Sequence, residues 1–186
     1  SVMLMYQEIL SVYEETGRVR KLIPFSKEFA DFGARVMGPV FGTFMNINLI
    51  MINGLLGNDE EAKKLLDEIE AGISMPPLNM MVPMVKCCFY GVIDDWDSFN
   101  NTFDTATKNI ELLGMGMMNH SLYDMKGEYF ENMEDYSSAI DWYKQSMSVG
   151  TSMGPEATVD TYTKLGRVYC ELGEYDKSQA MFDTFL

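Results

Sequence analysis

The chain has 186 residues, 47% of them apolar and 23% charged, a usage that excludes wholesale disorder and suffices to bury a core. Its 14 basic against 28 acidic residues give a formal charge of −14, a field that repels phosphate backbones and anionic lipid. Nucleic acid and membrane surfaces are therefore not expected as partners of this segment, and two explanations of the charge stay open: solubility, or a partner with basic residues.

Along the chain, apolar residues recur at spacings of three and four, the period of a buried helix face. A first helical hairpin is expected over 3–37, with Tyr6, Ile9, Leu10 and Tyr13 before a turn at Gly17, and Val19 after it. Pro24 falls where the second helix should already be running, so that helix starts late or is kinked. After a break at Gly38-Pro39, a second hairpin is expected over 42–74, with Leu49 and Ile50, a turn at Gly57-Asn58, then Ala62, Leu66 and Ile69. Met75-Pro76-Pro77 ends it, and a third hairpin over 79–114 carries Tyr90, Asp94-Asp95, Trp96, Phe99, Phe103 and Ala106. A fourth over 120–149 has Tyr123, Gly127 and Phe130, a turn at Glu134-Asp135, then Tyr136, Ala139 and Tyr143. The segment from Gly150 to Pro155 separates it from a fifth hairpin over 157–186, which carries Tyr162, Leu165, Gly166, Tyr169, Gly173, Tyr175 and Phe182.

The turns at 17, 57, 94, 134 and 173 follow one another at steps of 40, 37, 40 and 39 residues. Chance apolar spacing rarely keeps such a register five times, so the chain is an internal repeat. A single hairpin cannot cover its own apolar stripe, and stacking of neighbours supplies the core. Gly127 and Gly166 are expected where two helices approach closely, and Gly17, Gly57 and Gly173 at helix ends that need a left-handed residue.

Leu165-Gly166, Tyr169 and Gly173-Glu174-Tyr175 are similar to the tetratricopeptide repeat consensus, which runs aromatic, Leu-Gly, Tyr, then Gly-Asp/Asn-Tyr. The long step resembles variants in bacterial signalling proteins such as MalT-like regulators. The resemblance spans the chain and implies an all-α fold: a right-handed α-solenoid of about five antiparallel helix hairpins, forming a single array over 1–186. It further implies a protein–protein interaction scaffold without enzymatic activity, the sensory or regulatory segment of a larger bacterial signalling or transcription-regulating protein. Opening at Ser1 and stopping at Leu186 within a helical pattern, the sequence is expected to be a piece of something longer.

In the resembling family, first helices line a concave groove, and register transfers the groove positions. They are Leu4, Gln7, Ser11 and Glu14; Phe44, Ile47 and Met51; Met81, Met84 and Cys88; Asp124, Glu128 and Glu131; and Asp160, Thr163 and Arg167. The middle of this set is apolar and its C-terminal part largely acidic, which suits a peptide or helix with apolar anchors and a basic flank. The family's clamp for C-terminal carboxylates uses paired Lys and Asn; Arg167 is the basic residue at these positions, so that role is not expected. Two other readings stay open: a receptor for a small ligand or signalling peptide, and a homodimerisation module.

Chemistry offers little else. His120 is the one histidine, which leaves no Ser/His/Asp or Cys/His set, and a structural role is expected for it. Gly114-Met115-Gly116 lacks the following Lys-Ser/Thr of a phosphate loop, and Asp94-Asp95-Trp96-Asp97 reads as a solvated turn without calcium-loop spacing. No metal or cofactor is expected. Of the 17 methionines, Met80, Met81 and Met84 cluster, as do Met115, Met117 and Met118; gap-filling, peptide contact and soft-metal binding are the readings, the first being the plainest. Cys87, Cys88 and Cys170 have neither disulfide-framework nor zinc spacing, and read as reduced thiols of a cytoplasmic protein.

Overall fold

The computed structural model describes residues 17–184, apart from the side chains of Phe41, Phe44, Pro155 and Glu156. The described residues are helical, without strands. The helices are α1 (Leu22–Met37), α2 (Pro39–Met45), α3 (Ile47–Leu55), α4 (Asp59–Gly72), α5 (Leu78–Val92), α6 (Trp96–Leu112), α7 (Asn119–Asn132), α8 (Tyr136–Gly150), α9 (Val159–Glu171) and α10 (Tyr175–Asp183). They form two compact units, Ser1–Phe99 and Asn100–Leu186, and the division falls within α6. In the first unit α1 packs on α2, and α3 on both α4 and α5. In the second, α7 packs on α8, α8 on α9, and α9 on α10. Sequence-adjacent helices pair, as a hairpin repeat requires.

The turns explain the pairing. Gly57, Asp94, Glu134 and Gly173 have φ of 71°, 57°, 58° and 72°, the left-handed conformation that ends a helix. After each, the next amide reaches back across the turn: Asn58 to the Asn53 carbonyl at 2.8 Å, and Asp95, Asp135 and Glu174 to Tyr90, Phe130 and Tyr169 at 2.9 Å. This six-to-one bond closes the Schellman motif and satisfies a carbonyl the helix cannot use. Two of the same residues then start the next helix. Asp95 Oδ1 accepts from the Ser98 amide at 3.1 Å, and Asp135 Oδ1 from the Ser138 amide at 3.2 Å. One dipeptide thus ends one helix and caps the next, which forces a tight reversal. Gly17, the expected first turn, also has a positive φ of 65°.

Small residues set the helix spacing within a hairpin. A Cβ on Gly127 would run into the Tyr143 ring, and one on Gly166 would lie 2.6 Å from Phe182 Cζ. Ala62, Ala106 and Ala139 are fully buried on second helices. The matching position in α10 is Ser178, whose hydroxyl donates to the Gly166 carbonyl at 2.7 Å. Between α8 and α9, Ala139, Ile140, Tyr143, Leu165, Val168 and Tyr169 form a closed apolar cluster.

Two departures from regularity lie in the first unit. The second helix of hairpin one starts late: a 3-10 turn covers Val19–Lys21 and α1 begins at Leu22, which puts Pro24 in a first turn that needs no amide donor. The first helix of hairpin two is split, α2 stopping at Met45 and α3 starting at Ile47, with Asn46 between. Asn53, buried near the end of α3, donates from Nδ2 to the Leu49 carbonyl at 2.8 Å and accepts from Asn58 Nδ2 at 3.2 Å. It takes an interior position, and its polar groups are used to hold the turn.

Candidate partner-binding site

In the first unit, Ile47 and Met51 lie one turn apart on α3 and are half-buried; Met81 and Cys88 on α5 are half-buried too, while Met84 is buried. Phe44 belongs to α2, and its side chain lies outside the described residues, as do Leu4, Gln7, Ser11 and Glu14 altogether. Burial pushes the Cys88 thiol up to about 12, so it behaves as a neutral, weakly polar group on this stripe. Half-exposed apolar side chains one turn apart on a helix suit insertion of a partner's side chains.

In the second unit the acidic positions have partners within the chain. Lys164 lies 3.2 Å from Asp124, 2.9 Å from Glu128 and 2.6 Å from Asp160, so one ammonium serves three carboxylates. Asp124 is buried, and both its oxygens accept from the Thr161 hydroxyl, at 2.9 and 3.1 Å. Glu131 takes two bonds from the Arg167 guanidinium, at 2.7 and 2.9 Å, and one from the Tyr143 hydroxyl at 2.7 Å. Burial acts to lower the Lys164 pKa but is outweighed by Asp124, Asp160 and Glu128, which raise it; the bond to Glu131 holds Arg167 above its ordinary value.

The structure therefore gathers Asp124, Glu128, Glu131, Asp160 and Arg167 into one polar seam joining α7 to α9. Asp160 and Arg167 remain largely exposed, their side chains 74% and 55% accessible. Thr163 is exposed, its hydroxyl bonded back to the Val159 carbonyl. Register alone misses Lys164, Thr161 and Tyr143; the one local signal is that Lys164 follows Asp160 by four residues.

His120 is structural: buried, with Nε2 2.6 Å from the Ala157 carbonyl and Nδ1 2.5 Å from Ser146 Oγ, it ties α7 to α8 and to the turn before α9. Among the described residues no group of three or more His, Cys, Asp or Glu side chains could hold a metal ion. Nor is any described helix long and apolar enough to cross a membrane.

Sequence-adjacent helix pairs closed by αL turns, with glycine contacts inside the fourth and fifth hairpins and polar bonds between those two, define a helical-hairpin repeat protein. Residues 120–149, which are α7 and α8 almost to the residue, match the family model of the tetratricopeptide repeat. No curated protein matches the chain. The repeat suggests a protein–protein interaction module, and repeats of this family are typically non-enzymatic scaffolds; nothing in the structure shows catalysis.

Proposed function

We propose that the chain is an interaction scaffold that binds a peptide or helix on the exposed faces of its first helices, as the regulatory segment of a larger bacterial signalling or transcription-regulating protein. The observation that carries the interaction role is the tetratricopeptide match on a hairpin whose glycine contact, αL turn and aspartate cap are all formed. Supporting the apolar anchor sites are Ile47, Met51, Met81 and Cys88, half-buried on α3 and α5. The signalling context rests on the step of 37 to 40 residues, which resembles the long-step variants.

The charge of −14 favours a partner with basic residues, with Asp160 the exposed carboxylate of the proposed set in the second unit. Glu128 and Glu131 act mainly inside the chain, so charge reversal there would loosen the α7–α9 seam as well as any partner contact. The test is selection of peptides from a random displayed library against the intact chain. Selected peptides should lose affinity about tenfold or more on Met51→Glu or Met81→Glu, the loss expected when an apolar anchor site is filled by charge. They should be indifferent to Lys63→Glu. Binding untouched by both methionine variants would refute the first-helix site.

A further inference from the structure

Met115, Met117 and Met118 fall between α6 and α7, in the second unit. They are 37%, 53% and 36% exposed, so they do not fill gaps between helices. A 3-10 turn covers Gly116–Met118, and the Met118 amide donates to the Met115 carbonyl at 2.8 Å. Side chains three residues apart in such a turn stand on one side of it, which pairs Met115 with Met118. Met117 is adjacent, and the flexible, unbranched methionine side chain lets its sulfur reach the same side.

A carboxylate lies over the same turn. Glu111, near the end of α6, has its oxygens 3.7 and 4.0 Å from where a Cβ on Gly116 would stand. Asn119, buried as the first residue of α7, fixes it by donating from Nδ2 to Oε1 at 2.9 Å. Glu111 has no ion-pair partner among the described residues. Its charge is therefore not neutralised, on a chain whose net charge of −14 already attracts cations. The donors then select the cation. Zinc takes Cys, His and carboxylate, while calcium and magnesium take shells of oxygen. His120, next along the chain, has both ring nitrogens engaged. What remains is three neutral, polarisable thioethers beside one negative charge, a donor set for a soft monovalent ion.

We propose that Met115, Met117 and Met118, with Glu111 beside them, bind Cu(I). The thioether sulfurs are the ligands, and the carboxylate offsets the charge of the ion. The site uses the turn before α7 and is independent of the apolar stripe on α3 and α5 proposed above.

Ag(I), which shares the charge and softness of Cu(I) and keeps its oxidation state, is the probe. It is titrated in chloride-free buffer into the full chain with methionine methyls labelled for NMR. The chain carries Cys170→Ser, which removes the one exposed thiol among the described residues. Saturable shifts are expected at Met115, Met117 and Met118, while Met37, Met75 and Met133, exposed but outside the turn, stay where they were. Cu(I) kept reduced by ascorbate should move the same three methyls, and Zn(II) should not. Met115→Leu with Met118→Leu keeps the apolar volume and removes two sulfurs. The Met117 shift should then need about tenfold more Ag(I) or beyond, since disturbing even the outer shell of a metal costs that much. Glu111→Gln should weaken binding about threefold, the size expected for an exposed charge. No saturable shifts at the three methyls, an unchanged Met117 titration in the double leucine variant, or equal shifts with Zn(II) would overturn the proposal. Equal shifts at Met37 and Met133 would overturn it too, by showing that any exposed thioether suffices.

Discussion

Asp94 and Glu134 adopt the same left-handed conformation as Gly57 and Gly173, but with a Cβ that crowds the following carbonyl. Replacing either by glycine should raise stability by about 0.5–1 kcal/mol, and Gly173→Ala should lower it by about 1 kcal/mol, since nothing but backbone strain opposes that methyl. Urea denaturation of the three variants measures this directly. The thiols should also separate. Cys170 is exposed and should react first with iodoacetamide at mildly alkaline pH, while Cys88 should stay protected. The Cys88 pKa is raised in the folded chain, so the neutral thiol stabilises the fold fully below the ordinary value near 9; that contribution is lost as pH rises from there towards about 12. A fold that loses more stability across this window in the wild-type chain than in Cys88→Ala, where the raised tyrosines Tyr123 and Tyr143 still titrate, would bear this out.

For the helices, the close contacts matter more than propensity. Gly127→Ala would drive a methyl into the Tyr143 ring, which Glu131 and the surrounding core hold in place, and should cost about 1–3 kcal/mol as overpacking does. Lys164→Ala would leave the buried Asp124 carboxylate with the Thr161 hydroxyl alone, and should cost about 2–4 kcal/mol, whereas Lys164→Ala in an Asp124→Ala background should cost much less. A double-mutant cycle by chemical denaturation checks this, and additive effects would contradict the seam. Hairpins are readable from the sequence because each rests on local rules: a left-handed turn residue, a cap, and a period of three and four. The seam is not readable, because Lys164 and Asp124 are 40 residues apart and a single sequence carries no pairing information. The split at Asn46 is hidden for the opposite reason, since the apolar pattern runs on through it and only the backbone shows the break.

The chain as a whole is dominated by its charge of −14, which opposes compaction by self-repulsion. Added salt screens exposed charges more than the partly buried seam, so the thermal midpoint should rise between low and physiological ionic strength. A falling midpoint would mean that the seam contributes more than the repulsion removes. The sequence reads as one array of five hairpins; the structure shows hairpins in each of two compact units, and the tetratricopeptide match falls on the fourth. Partner choice is the least readable feature, because repeat scaffolds keep their sequence signature in the packing residues and vary the exposed ones.

Methionine itself offers the decisive reporter. With the methionine methyls labelled, a peptide selected against the intact chain can be titrated while every methionine in the chain is followed at once. Binding on first helices should shift Met51 and Met81 saturably and leave Met37 and Met75, which are exposed outside the proposed site, where they were. Shifts confined to methionines outside the site, such as Met117 or Met133, with Met51 and Met81 unmoved, would contradict it.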